Sequence, residues 1–363
     1  MYLSRYQHLV ERLNQESIDH ILISDASSIS YFIANHMDAG ERLLLLQVNR
    51  NGHGHLYWNI LFPKPSLPED LASLIDIHYY ADGETIIETI AQQLTGITSV
   101  DKFWPAQFLL ALMTANPNLT YLNRTDLVDD LRAIKSPEEQ AIMLEASRLN
   151  DQAMLQIQDL LSQGLSEKEM IDRLAQIYRD LGCQGFSFDP IIAYGANCAD
   201  PHHETNHDTP QIGDSIVVDI GAIYQGYCSD MTRTFFFGQI DEESQTVYEL
   251  VKKANQAAID LIKPGVPFTA IDAAARDIIS QAGYGQYFTH RTGHFIGRQV
   301  HEAGDVSAYN SRLTQEGQIF SIEPGIYLPG KMGVRIEDLV LVTADGCQIL
   351  NQVSKELSLI EPK

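Results

Sequence analysis

The residues whose types and spacing suggest chemistry begin with Asp219 and Asp230, the two ends of the stretch DIGAIYQGYCSD. Asp219 closes the apolar run Ser215-Ile216-Val217-Val218, and a strand of that kind, buried on its faces, rejects an unpaired charge. One acid beside a glycine at a strand end is most often a turn residue. Here the arrangement recurs. Glu323 ends the apolar stretch at Ser321-Ile322, Gly330 and Gly333 mark a turn, and Val334-Arg335-Ile336-Glu337-Asp338-Leu339-Val340 carries another acid into a strand-like run. Two hairpins thus each carry two carboxylates prone to point inward. Acids crowded into one cleft raise each other's pKa and cannot all stay ionised unaided. Divalent cations are the economical compensation, and four carboxylates with one imidazole suit a metal pair on the order of 3.5 Å apart. Oxygen-rich ligation favours Mn²⁺, with Co²⁺, Fe²⁺ or Zn²⁺ as alternatives.

Imidazoles are available nearby. His290, His294 and His301 fall close together in the segments containing Thr292-Gly293-His294-Phe295-Ile296-Gly297 and Val300-His301-Glu302, just ahead of the second acidic hairpin, and His202 and His203 follow Pro201 ahead of the first. A lone histidine beside glycines is more often structural. By that standard His53 and His55, beside Gly52 and Gly54, read as loop residues.

The elements that must position these residues can be traced by their caps. Ser136-Pro137-Glu138-Glu139 is a helix start, with Ser as cap, Pro at the first position and Glu three residues on. It predicts a helix to about Ser162, and Ser166 with Glu169 predicts a second, ending near Gly182. Asp241 caps a third, to about Ile262, and Thr269 with Asp272 is expected to cap a fourth, stopped by Gly283. Helix, helix, hairpin therefore occurs twice, which implies an internal duplication of about 100 residues with the two hairpins facing across a cleft. Before Lys135, short apolar runs alternate with amphipathic helices, as in a small α/β domain. Two domains are expected for a 363-residue chain, divided as 1–132 and 133–363.

With 44% hydrophobic and 20% charged residues, the chain reads as a soluble globular protein. Its net charge of −23 argues against nucleic acid or an anionic membrane as partner. Cys183, Cys198, Cys228 and Cys347 form no C-x-x-C pair, which disfavours a thiolate zinc site and fits a reducing compartment. The polar start and the lack of any long apolar run suggest a cytoplasmic protein.

The ordered set VVDIG, GYCSDMTRT, TGHFIG with VHE, SIEPGIY and VRIEDLV resembles the pita-bread metallopeptidases, in particular the proline-specific branch of Xaa-Pro dipeptidases (prolidases) and Xaa-Pro aminopeptidases. The resemblance spans nearly the whole chain. It implies an α+β pita-bread catalytic domain with pseudo-twofold duplication, preceded by a smaller α/β creatinase-type domain. It also implies that Asp219, Asp230, His294, Glu323 and Glu337 hold two metals, Asp230 and Glu337 bridging, Asp219 on one ion, and His294 with Glu323 on the other. A water activated between the ions would attack the scissile carbonyl, with Glu323 moving the proton, His202 and His301 flanking the carbonyl, and His290 lining the substrate pocket. Arg335, two residues before Glu337, would face the cleft with it, bracing a bridging carboxylate in preference to contacting substrate directly. The expected substrates are short proline-containing peptides, and the expected assembly is a homodimer. The stretch after His301 lacks an evident basic residue for a substrate's carboxylate, so Arg298, Arg312 or Lys331 would have to supply it. A dipeptidase is favoured over an aminopeptidase. A metal-free creatinase-like hydrolase or a silent binding protein would be expected to have lost ligands that are present here.

Overall fold

Short apolar runs alternating with amphipathic helices fold the first unit, Met1–Arg132, around one sheet. The computed structural model describes residues 1–363. Helix α1 (Tyr2–Gln15) leads to β1 (His20–Ile23), α2 (Ala26–Ile33), β2 (Leu45–Asn49), β3 (Gly54–Asn59), β4 (Ile75–Tyr80), α3 (Ile86–Gln93), β5 (Ile97–Val100), α4 (Ala106–Ala115), β6 (Thr120–Asn123) and α5 (Asp126–Ala133). The strand order β4-β3-β2-β1-β5-β6 leaves β4 at an edge. One apolar cluster gathers Leu9, Ile21, Phe32 and Leu46, and another gathers Leu22, Leu45, Tyr57 and Leu112, as the period-2 alternation of strand side chains requires. The loop expected at His53 and His55 is corrected: His55 lies inside β3 and only His53 precedes it. Gly54, whose presence suggested a turn, is a strand residue at which a Cβ would run into the Tyr6 hydroxyl.

The second unit, Ala133–Lys363, repeats helix, helix and hairpin. Helix α6 (Pro137–Leu161) begins at a full capping box, Ser136 accepting from the Glu139 N–H while the Glu139 carboxylate accepts from that of Ser136. Helix α7 (Glu167–Asp180) begins identically at Ser166 and Glu169. After β7 (Gly185–Phe186) and β8 (Ile191–Tyr194), β9 (Ser215–Ile220) pairs with β12 (Met231–Phe237), and β10 (Ala222–Tyr224) and β11 (Tyr227–Cys228) occupy the excursion between them. The second half follows with α8 (Glu242–Asp260), capped by Asp241, then α9 (Phe268–Gln281), β13 (Gly293–Phe295) and β14 (Glu302–Val306). Its hairpin pairs β15 (Ile319–Ile322) with β18 (Asp338–Val342) around an inner ribbon of β16 (Gly325–Leu328) and β17 (Met332–Arg335). Strands β19 (Cys347–Ile349) and β20 (Leu359–Ile360) follow.

One expected cap is corrected. Pro267, not Thr269, occupies the cap of α9, because its fixed φ suits a helix entry where a missing N–H costs nothing. Asp272 turns inward instead, accepting from the Thr292 hydroxyl at 2.6 Å and pairing with Arg276.

Each hairpin packs on the helices of its own half. Met154, Ile157 and Leu174 meet Ile192, Val218 and Phe235, and Val251, Phe268 and Ile271 meet Phe320, Ile336 and Val340. Each such fully buried side chain contributes roughly 1.5–3 kcal/mol, so the hairpins are held as rigid platforms.

Candidate metal centre

Strand register brings the acids together. Asp219, the penultimate residue of β9, lies opposite Thr232, and Asp230 immediately precedes β12. In the other half Glu323 follows β15 and Glu337 precedes β18, at the end of the ladder where Ile322 pairs with Asp338. Thr232 joins the halves: its hydroxyl donates to Glu337 Oε2 at 2.8 Å, and its carbonyl accepts the Glu337 N–H at 3.1 Å. His294, in the middle of β13, places Nε2 3.5 Å from Asp230 Oδ2, 3.5 Å from Glu323 Oε1 and 4.0 Å from Glu337 Oε1. Ligand atoms of Asp230, His294 and Glu337 all fall within 4.8 Å of one another. All four acids and His294 line one pocket of ≈ 380 Å³, together with His202, His290, Arg291, His301 and Arg335. A larger cavity of ≈ 700 Å³ lies wholly in the N-terminal unit and is lined by no histidine.

The protein satisfies these acids only in part. Asp219 Oδ1, Asp230 Oδ1 and Glu337 Oε1 are buried and accept no hydrogen bond. Burial, with the Asp219 charge next, pushes the Asp230 carboxyl well above its usual range. Burial and then the neighbouring acids do the same to Glu337, and burial chiefly raises Glu323. Buried polar atoms are normally satisfied, and three orphaned carboxylate oxygens in a pocket shared with an imidazole fit hard divalent cations. His294 suits the same role. Its Nδ1 lies 3.2 Å from the Phe295 carbonyl, which only accepts, so the proton sits on Nδ1 and the Nε2 lone pair faces the acids. Burial lowers the His294 pKa, favouring the neutral form that ligation needs.

The next residue supplies an internal control. Asp338 points to the opposite side of the strand, 2.7 Å from Arg233 Nη2 and 2.8 Å from Lys355 Nζ. Burial alone would raise its pKa, but Arg233 and Lys355 hold it below the usual value. One hairpin therefore carries a buried acid neutralised by side chains and, back to back with it, a group that is not.

Arg335 donates from Nη2 to Asp219 Oδ2 at 2.6 Å, from Nε to Thr232 Oγ1 at 3.1 Å, and from Nη1 to Tyr327 Oη at 2.9 Å. The acid it braces is Asp219, where Asp230 or Glu337 was the expected partner. Tyr327 Oη donates in turn to His290 Nε2 at 2.8 Å, and His290 Nδ1 donates to the Arg291 carbonyl at 2.7 Å. Burial, followed by Arg335, lowers the His290 pKa to about 4. His301 packs edge-on against His294 with ring centroids 4.2 Å apart, and burial, then His294, lowers its pKa to about 4. His202 lines the pocket, whereas His203 turns to Glu167 at 2.7 Å.

The basic residues expected to meet a substrate carboxylate lie outside the pocket lining. Arg298 sits over the Tyr227 ring, Lys331 pairs with Glu243 and Arg312 is exposed. Arg291 lines the pocket instead. Sequence reasoning also missed Thr232, Tyr327 and Ser321, whose hydroxyl accepts from the His294 N–H at 3.0 Å and donates to Glu323 Oε1 at 3.1 Å. Register opposite Asp219 was the available signal for Thr232. Gly293 lets β13 approach this closely, because a Cβ there would collide with the Ser321 carbonyl.

The family profile described as "Metallopeptidase family M24" matches residues 141–344, and that described as "Creatinase/Prolidase N-terminal domain" matches residues 5–134. An uncharacterised peptidase of Staphylococcus aureus is 34% identical over 356 residues, covering 97% of this chain and 100% of that protein. A dipeptidase from Pyrococcus horikoshii superposes with a TM-score of 0.89 at 32% identity, over 98% of this chain and 99% of that one. A prolidase from Thermococcus sibiricus superposes with a TM-score of 0.91 at 31% identity, over 99% of each chain. The chain belongs to metallopeptidase family M24, on its proline-specific branch, with a creatinase/prolidase-type domain ahead of a pita-bread catalytic domain.

Proposed function

We propose that this peptidase is an Xaa-Pro dipeptidase using two divalent cations held by Asp219, Asp230, His294, Glu323 and Glu337. The observation that carries the reading is the set of unsatisfied buried oxygens on Asp219, Asp230 and Glu337 in the pocket that the His294 imidazole also lines. Oxygen-rich ligation makes Mn²⁺ the preferred ion. When bound, the cations supply Lewis acidity, lowering the pKa of a water and polarising the scissile carbonyl.

The side chains do the rest. Glu323, with its carboxyl raised chiefly by burial, accepts the water's proton and passes it to the leaving nitrogen. That transfer is essential, because the amide nitrogen leaves only when protonated, as a neutral amine. His301, exposed at the pocket and neutral above about pH 4, and His202 on the pocket wall direct N–H groups at the developing oxyanion. Phe188, Ile191 and Val300 give the pyrrolidine ring an apolar wall. Arg291, with no acid in ion-pair contact, receives the dipeptide's carboxylate through a bidentate guanidinium.

Metal-stripped protein reloaded with Mn²⁺ tests this on an X-Pro dipeptide, an X-Pro-Y tripeptide and a non-proline dipeptide. Turnover of the X-Pro dipeptide alone is expected. Cleavage of the tripeptide moves the assignment to an aminopeptidase, and no turnover with any metal rejects the enzyme reading. Arg291→Ala should raise KM for the dipeptide at least tenfold with a much smaller change in kcat, since it removes binding that ground and transition states share.

A further inference from the structure

A second concentration of metal-binding side chains lies in the N-terminal unit. Parallel pairing of β3 with β4 sets His55 opposite Asp76, and His78, two residues further along β4, shares that face. His53 joins them from the turn before β3, its Nε2 2.9 Å from Asp76 Oδ2. One ligand atom from each of His53, His55 and Asp76 falls within 4.8 Å of the others. We propose that His53, His55 and Asp76 form a separate metal site that takes one late transition-metal ion, of the Ni²⁺, Cu²⁺ or Zn²⁺ class, with solvent completing its coordination.

The surroundings are those of a ligand set. His55 Nδ1 lies 3.0 Å from His78 Nε2, and His78 stacks on Tyr57 with centroids 4.9 Å apart and an 18° interplanar angle. A proton on His55 Nδ1 shared with the fixed His78 ring leaves Nε2 as a bare donor, the outer arrangement typical of a ligating histidine. Burial, then the neighbouring His78 and His53, lowers the His55 pKa, and the hydrogen bond from His53 keeps Asp76 ionised below its usual range. The 2.9 Å gap between His53 and Asp76 is the separation of adjacent donors around one ion with bonds of about 2.0–2.1 Å. An imidazole-rich set selects late transition metals, whereas the carboxylate-rich pocket of the other unit suits Mn²⁺. Because β4 is the sheet edge, an ion here would clip that edge to β3 and to the turn before it.

The difference in donor chemistry separates the two sites experimentally. Full-length protein is stripped with chelator, loaded with Ni²⁺ or with Mn²⁺, gel-filtered and assayed for retained metal. His53→Ala and Asp76→Asn are suitable variants, because both side chains are substantially exposed, at 41% and 62%, and their loss leaves the core intact. Wild type is expected to retain one more Ni²⁺ than either variant, with equal Mn²⁺ retention and peptidase activity of the Mn²⁺ form within twofold. Cu²⁺ electron paramagnetic resonance should show nitrogen coupling that His55→Gln reduces by one nitrogen. Equal Ni²⁺ retention by wild type and variants, or a Cu²⁺ signal unchanged in His55→Gln, overturns the site. Neither result bears on the peptidase assignment, which is read separately with Mn²⁺.

Discussion

Among the four acids of the candidate metal centre, Asp219 alone has a guanidinium bonded to it, from Arg335. That bond fixes which oxygen is committed and leaves Oδ1 without a hydrogen bond. Arg335→Met should therefore weaken metal binding by about 10–100-fold, the usual cost of removing a group that orients a ligand, and Arg335→Lys should recover only part of it, because an ammonium cannot span Asp219, Thr232 and Tyr327 together. Metal titration of both variants, alongside kcat, checks this. His290 makes a second prediction. Its folded pKa of about 4 lies below the ordinary histidine value of 6.5, so its contribution to stability is complete above about pH 6.5 and is lost as pH falls toward 4. His290→Gln should flatten the stability-versus-pH curve in that window, as read by denaturant midpoints, and wild-type His290 should show no NMR titration between pH 5 and 8.

At the scale of elements, the duplication extends to residues that carry no chemistry. Asn150 in α6 donates to the Ile220 carbonyl, next to Asp219, at 2.8 Å, and Asn255 in α8 donates to the Ile322 carbonyl, next to Glu323, at 2.9 Å. Each half thus ties its first helix to the strand end that presents an acid. Asn150→Ala and Asn255→Ala should each lower stability by about 1–3 kcal/mol, the cost of leaving a buried acceptor unpaired, with a parallel loss of metal affinity. Urea midpoints and metal titration measure both. Much of this level was legible in the chain itself: the capping boxes at Ser136 and Ser166 and the apolar runs ending in Asp219 and Glu323 announce the repeated order. What was not legible depends on three-dimensional approach. Nothing local marks Tyr327 as the link between Arg335 and His290, or separates Arg291 from Arg298 as the arginine facing the pocket. His55 misled because adjacent glycines imitate a turn, although Gly54 is required by the closeness of Tyr6.

For the whole molecule, cation loading and proton uptake oppose each other. Burial chiefly raises the folded pKa values of Asp230 and Glu337 well above the ordinary carboxylate values of 3.8 and 4.5. In metal-stripped protein their contribution to stability is complete below about pH 4 and declines as pH rises through the elevated values. Chelation should therefore lower Tm more as pH rises, and reloading with Mn²⁺ should abolish that difference. Metal binding should also release protons, seen as a dependence of calorimetric heat on the ionisation enthalpy of the buffer. A net charge of −23 adds general repulsion that falls with salt, so the pH comparison belongs at fixed ionic strength.

The back-to-back arrangement of Asp338 and Glu337 has a further consequence. Arg233 and Lys355 neutralise Asp338 without any exogenous ion, and Arg233 also donates to the Glu337 and Thr232 carbonyls. The backbone seam between the halves is thereby stitched from its reverse side by the chain's own cations. Emptying the pocket should leave that seam closed, so the enzyme would cycle between depleted and replete forms without refolding, recovering full turnover within the mixing time of added ion.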